Sequence, residues 1–177
     1  MSNIVLVGFM ATGKSTIGRE LASRLSLQMV DTDDLIEEKA GKTISAIFSG
    51  EGEAAFRDLE SEIALKVSRL SGHVVITGGG IVLREKNMEA LKKAGPVFCL
   101  TATAEEILKR TEGTSHRPLL QTPDPLRRIR KLLMDREPYY AKADYTIDTT
   151  GMSIRQVVDC ILGILSMNHP DLWKPQP

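Results

Sequence analysis

The sequence predicts a single α/β domain built on a parallel sheet covered by helices on both faces. Three observations lead there. Short apolar runs alternate with stretches of helical period along the chain, the pattern of repeated βαβ units. The 177 residues suit one domain and are ample for a buried core. The composition, 42% AVILMFWYC and 26% charged, is ordinary for a globular chain and excludes a disordered or collagen-like one.

The elements follow in order. Asn3 to Val7 (NIVLV) is β-branched and bounded by Gly8, as a buried central strand should be. Lys14 to Leu25 places Ile17, Leu21 and Leu25 at helical spacing. Leu27 to Val30 is a second strand, followed by helical stretches at Asp34 to Ala40 and Glu51 to Leu70. In the longer one Phe56, Leu59, Ile63, Val67 and Leu70 form one apolar stripe. His73 to Thr77 is the third strand, ended by Gly78-Gly79-Gly80. A helix from Glu85 to Ala94, closed by Gly95, leads to the fourth strand at Pro96 to Leu100. Ala104 to Arg110 is helical, and Glu112 to Asp124 reads as a long Gly- and Pro-containing loop. Asp124 caps a helix opening at Pro125, which Pro138 should end or kink. Tyr145 to Ile147 is the fifth strand. The last helix, capped by Ser153, carries Ile154, Val157, Val158, Ile161, Leu162 and Leu165 on one stripe. Residues 166–177 have no period and are expected to be a loose tail.

Composition also bounds the function. Lys+Arg and Asp+Glu each number 23, a balance that argues against a general nucleic-acid or anionic-membrane binder. Cys99 and Cys160 cannot build a disulfide framework or a zinc site and are expected to be buried, reduced thiols. The run Ile4 to Ala11 falls far short of the ~18 apolar residues of a membrane span. Gly13-Lys14 also interrupts it where a signal-peptide cleavage region would begin. A cytoplasmic protein is expected.

Gly8-Phe9-Met10-Ala11-Thr12-Gly13-Lys14-Ser15 matches G-x-x-x-x-G-K-[ST] at every fixed position, between a predicted strand and a predicted helix. In that context backbone N–H groups and the helix N-terminus gather phosphate oxygens. Lys14 is expected to reach the β- and γ-phosphates and the Ser15 hydroxyl to ligate Mg²⁺. A carboxylate near the metal is also needed, and the second strand runs into Asp31-Thr32-Asp33-Asp34. If the chain stays extended there, Asp31 and Asp33 are expected on opposite sides, one toward the metal and the other toward another ligand. Both could instead be capping or solvated acids, and Asp34 is explained by its helix N-terminus.

Charge is unevenly spread. Residues 31–62 hold ten acids and three bases, and residues 109–136 hold eight bases and three acids. A basic segment containing a Gly/Pro loop suits a lid that closes over phosphates. Arg57, alone among the nearby acids, would at its simplest pair with Glu53 or Glu60 at helical spacing.

The loop GFMATGKST, Asp31-Thr32-Asp33, Phe56-Arg57, Gly78-Gly79-Gly80, Arg117-Pro118-Leu119 and Arg136-x-Pro138-x-Tyr140 occur together and in order. In this combination the sequence resembles the shikimate kinase family over approximately residues 1–165. The resemblance implies a three-layer P-loop kinase fold, like that of nucleoside monophosphate kinases. Its parts would be a five-stranded parallel sheet, a helical substrate-binding segment at about 32–62 and a mobile lid at about 111–124. The implied activity is ATP-dependent phosphorylation of the shikimate 3-hydroxyl, with one Mg²⁺ ion per subunit, by a monomer whose partners are small molecules. Ala11, Thr12, Gly13, Lys14, Ser15 and Thr16 would cradle ATP, with Ser15 on the metal and Asp31 holding it through water. Asp33 would bind the shikimate hydroxyls and orient or deprotonate the 3-hydroxyl. Arg57 and Arg136 would take the carboxylate, among Gly78, Gly79 and Gly80, with the Gly79 N–H offered to substrate. Arg117 would approach the transferring phosphates, and Arg110 would lie along the adenine. The stretch 149–153 would form the other edge of the adenine pocket, with no single residue distinguished. Two rivals are a gluconate or nucleoside monophosphate kinase on the same scaffold and a non-enzymatic ATP-binding module. The triple glycine and Arg136 favour shikimate over the first, and retention of Asp33 and Arg136 argues against the second.

Overall fold

Every residue of the first strand, β1 (Ile4–Gly8), is buried. Ile4 and Leu6 belong to one helical layer, Val5 and Val7 to the other, because successive side chains alternate across a strand. A strand covered on both faces therefore reads as an unbroken apolar run. The computed structural model describes residues 2–111 and 122–172. Strands β2 (Gln28–Asp31), β3 (His73–Ile76), β4 (Val97–Thr101) and β5 (Tyr145–Asp148) join β1 in a 5-stranded sheet of order β2-β3-β1-β4-β5. All pairings are parallel.

Helices α1 (Lys14–Leu25) and α7 (Ile154–Asn168) cover one face. There Ile17, Leu21, Val158 and Ile161 pack with Ile4, Leu6, Val74 and Phe98. The opposite face is covered by α2 (Thr32–Ala40), α3 (Ile44–Val67), α4 (Glu85–Ala94), α5 (Ala104–Thr111) and α6 (Pro125–Tyr140). They bury Ile36, Phe56, Ile63, Leu91, Ile107 and Ile129 against Val5, Val7, Val75 and Val97. Truncating one such side chain, for instance Leu21→Ala, costs about 2–5 kcal/mol. Among the described residues no helix is long and apolar enough to cross a membrane.

Five details depart from the sequence reading. The helix expected from Asp34 begins at Thr32, because the Asp31 side chain accepts the Asp33 N–H and caps it there. The helix expected from Glu51 begins at Ile44, capped by Thr43, and is interrupted at Gly52, whose φ of 82° is not helical. Helix α6 runs through Pro138 to Tyr140. A proline in the last turn forfeits a single backbone bond, and the buried Tyr140, bonded through its hydroxyl to Gly79, holds that turn in place. Helix α7 continues to Asn168, and Leu172 is buried in the α7 layer. Cys99 is buried, but Cys160 lies on the outer face of α7 and is exposed. The stretch 112–121, which contains Arg117 and most of the expected lid, lies outside the described residues, as does Trp173.

Candidate active site

A cavity of about 580 Å³ opens above the carboxyl ends of β1, β2 and β3, where open α/β sheets hold their ligands. Its wall includes Ala11, Gly13, Lys14, Ser15, Thr16, Asp31, Asp33, Gly78, Gly79 and Arg110. The phosphate-loop match thus forms the turn from β1 into α1, with Gly13 as the helix N-cap. Ala11 holds a positive φ of 59°, a left-handed conformation of the kind that concentrates at functional turns. The Lys14 ammonium donates to the Gly8 and Phe9 carbonyls, both at 2.8 Å. Ser15 and Thr16 are exposed in the first helical turn. Thr12 does not reach the cavity wall. It is buried, and its hydroxyl donates to the Phe9 carbonyl at 2.8 Å, bracing the loop from within.

The acidic pair behaves differently from the expectation of opposite faces. Alternate residues of an extended strand share a face, and here β2 ends at Asp31 with helix following at once. Both carboxyls consequently line one cavity. Asp31 Oδ1 accepts the Asp33 N–H at 2.9 Å, so the capping role does apply to Asp31. Burial raises the pKa of Asp31, an effect that the Asp33 N–H and Lys14 oppose. Asp33 is pushed up to about 7, first by burial, then by the Asp31 and Glu60 charges. Its buried Oδ1 meets no hydrogen-bond donor among the described residues. This is a carboxyl poised to exchange a proton near neutral pH.

The glycine run after β3 ties the acid to the cations. The Gly78 N–H donates to the Thr32 hydroxyl at 3.2 Å. A Cβ on Gly78 would meet Asp33 Oδ1 at 2.5 Å, and one on Gly80 would collide with the Arg57 guanidinium. Bare backbone is therefore required for this approach. The Gly79 carbonyl accepts from the Tyr140 hydroxyl at 2.7 Å and from Arg136 Nη1 at 3.4 Å. The Arg136 guanidinium also lies over the Phe9 ring, 5.5 Å from its centroid. Gly80 leads into a single 3-10 turn, Ile81–Leu83.

Arg57 does make the helical-spacing pairs, with Glu53 at 2.9 Å and Glu60 at 2.6 Å. The two partners differ in kind. Glu53 is solvated, whereas the Glu60 side chain is 2% exposed. Burial raises the pKa of Glu60, and Arg57, Arg136 and Arg84 pull it down. Glu60 was not singled out from the sequence, where it looks like any charge on a solvated helix face. Arg84 closes the same corner, donating to the Arg57 carbonyl at 3.0 Å and to Asp58 at 2.6 Å. Asp33, the glycines, Arg57 and Arg136 thus form one cluster, braced by Glu60 and Tyr140.

On the other flank of the phosphate loop, Arg110 donates to the Ala11 carbonyl, to Thr149 and to Glu106. Thr149 is the residue of the 149–153 stretch that joins this network. A Mg²⁺ ion commonly takes one or two protein ligands and completes its shell with water and nucleotide phosphates. Ser15 and Asp31 on one wall of the cavity are such a donor set, so the residues fit an ion that arrives with the nucleotide.

A phosphate loop and two carboxyls around one cavity at the carboxyl ends of a parallel sheet, with Arg57 and Arg136 set against the adjoining glycine run, define a P-loop small-molecule kinase. Comparisons narrow the class. Residues 10–166 match the family model described as shikimate kinase. The chain is 46% identical over 162 residues to the shikimate kinase of Thermodesulfovibrio yellowstonii, covering 92% of this chain and 94% of that one. It is 47% identical over 163 residues to the shikimate kinase of Geobacter metallireducens, covering 92% and 91%. The solved shikimate kinase of Acinetobacter baumannii in complex with shikimate superposes with a TM-score of 0.89 at 39% identity, covering 96% and 95%. The chain belongs to the shikimate kinase family.

Proposed function

We propose that this enzyme transfers the γ-phosphoryl group of ATP to the 3-hydroxyl of shikimate, a step in aromatic amino-acid biosynthesis. The observation that carries the reading is the junction at Gly78-Gly79-Gly80. There Gly78 and Gly79 border the cavity that holds the phosphate loop and Asp33, while Arg136 reaches the Gly79 carbonyl and Arg57 crowds Gly80. Shikimate is a small anionic triol. A guanidinium fork suits its carboxylate, and buried hydroxyls need acceptors such as Asp33.

In this reading Ala11, Gly13, Lys14, Ser15 and Thr16 hold the nucleotide phosphates, and Thr12 shapes their loop. Ser15 and Asp31 hold Mg²⁺, which when bound neutralises charge on the phosphates. Lys14 stabilises the transferring phosphoryl group. Asp33 orients the 3-hydroxyl and takes its proton, consistent with a carboxyl near 7. Arg57 and Arg136 bind the carboxylate, and the Gly79 N–H faces the ring. Arg110 lies along the base. Arg117, from a lid at about 111–124, completes the phosphate site and excludes water, the competing acceptor. The segment at about 32–62 is the acceptor-binding part of one domain spanning 1–165. Zero formal net charge supports small-molecule partners rather than nucleic acid, and we place the enzyme in the cytoplasm as a monomer.

The test is ADP release in a coupled assay offered shikimate, gluconate and nucleoside monophosphates in turn. Turnover is expected with shikimate alone. Turnover with either of the other acceptors and none with shikimate would overturn the assignment.

A further inference from the structure

Thr149 follows β5, is 2% exposed, and touches three parts of the nucleotide half of the site. Its hydroxyl donates to the Thr101 carbonyl at 2.9 Å and accepts from Arg110 Nη1 at 3.0 Å. The Thr12 carbonyl of the phosphate loop lies 3.5 Å from the same oxygen. The Thr149 carbonyl accepts from Arg110 Nη2 at 2.9 Å, and its N–H donates to the Thr101 carbonyl at 2.8 Å. One hydroxyl proton and its lone pairs are thereby shared between the sheet and the arginine.

The arginine's own accounting gives this meaning. Arg110 Nη1 also donates to the Ala11 carbonyl at 3.2 Å, and Nε donates to Glu106 at 2.9 Å. The N–H of Nε, both of Nη1 and one of Nη2 are therefore committed to protein acceptors. A phosphate fork would need those edge donors. The flat face of the guanidinium is what remains for a ligand, and such a face stacks on planar rings. Arg110 also lies in the last turn of α5, so the same contacts fix that end of the helix against the phosphate loop.

We propose that Thr149 is a positioning residue for the nucleotide: its buried hydroxyl locks Arg110 against the phosphate loop so that the guanidinium presents a face to the purine. The inference rests on the reading of Arg110 as the base-side residue. Thr149→Val removes the hydroxyl at nearly constant shape, leaving the Thr101 carbonyl with only the Thr149 N–H and Arg110 Nη1 with only the Ala11 carbonyl.

The experiment is steady-state kinetics, with ATP and shikimate varied separately, on T149V, T149S, R110A and the T149V/R110A double variant. T149V is expected to raise the KM for ATP about fivefold, the equivalent of one net hydrogen bond, and to leave the KM for shikimate unchanged. T149S, which keeps the hydroxyl, is expected to restore the wild-type KM for ATP. In the R110A background T149V is expected to add nothing. A normal KM for ATP in T149V alongside a raised one in R110A overturns the role of Thr149 and spares that of Arg110. A normal KM for ATP in R110A overturns the base-side reading and this inference with it. Equal rises in both KM values, or an undiminished effect in the R110A background, mean that Thr149 merely supports the fold. If T149V does not fold, T149A carries the same expected selective rise.

Discussion

Replacing Asp33 with asparagine should stabilise the ligand-free protein while it destroys turnover, and the size of the gain should depend on pH. The folded carboxyl titrates at about 7 against an ordinary value of 3.8. Below pH 3.8 Asp33 is protonated in both the folded and the unfolded chain, so ionisation costs the fold nothing. Between 3.8 and about 7 the unfolded chain gives up the proton and the folded one keeps it, so stability falls as pH rises through that window. Above 7 the penalty is complete. A shift of about 3 units at 1.36 kcal/mol each sets it at about 4 kcal/mol. Asparagine has no such titration. The stability difference between D33N and the parent should therefore widen by about 2–3 kcal/mol from pH 5 to pH 8. Urea unfolding followed by far-UV circular dichroism at both pH values measures it. An equal difference at pH 5 and pH 8 would mean that Asp33 is already ionised in the fold at pH 5, and would refute the reasoning.

Other substitutions probe the remaining parts. Lys14→Ala should nearly abolish turnover while leaving the melting temperature within a few degrees, as read by ADP release and calorimetry. Arg136→Lys should raise the KM for shikimate and spare that for ATP, since lysine cannot form the two-pronged contact; an unchanged KM for shikimate removes Arg136 from the carboxylate site. Arg117→Ala should lower kcat about 10³-fold if the residue acts on the transferring phosphate, a loss that single-turnover kinetics would localise to the chemical step. Glu60→Ala should cost about 1–3 kcal/mol in urea unfolding, because the Arg57 guanidinium is left with the solvated Glu53 as its ion-pair partner.

Much of this was legible from residues alone, where the local signal and the tertiary demand coincide. Lys14–Leu25 and Glu85–Ala94 have the predicted bounds because glycine stands beside each: Gly13 caps the first and Gly95 closes the second. The part of α3 before Glu51 is hidden in the sequence because Gly50 and Gly52 break its period, although Thr43 stands there as its cap. The spacing offers Glu60 and Glu53 alike as partners for Arg57, but the burial of Glu60 does not show in the sequence. Its identity resembles that of its exposed neighbours, and only packing distinguishes it from Glu53. Nor does a sequence fix which way a side chain turns at a strand end. Asp31 and Asp33 line one cavity, the first as the cap of the helix that starts at Thr32 and the second in its first turn.

Arg136 has one more consequence. Among the described residues its side chain meets the Gly79 carbonyl and the Phe9 ring and feels the charge of buried Glu60, which Arg57 already pairs. Two guanidiniums thus share one buried carboxylate. On the proposed reading of Arg136 as a carboxylate holder, a bound acid offers these two guanidiniums a second anion, which a methyl ester or amide of the same outline does not. The preference for an acid over its neutral derivatives then follows from how many cations each buried carboxylate has to serve.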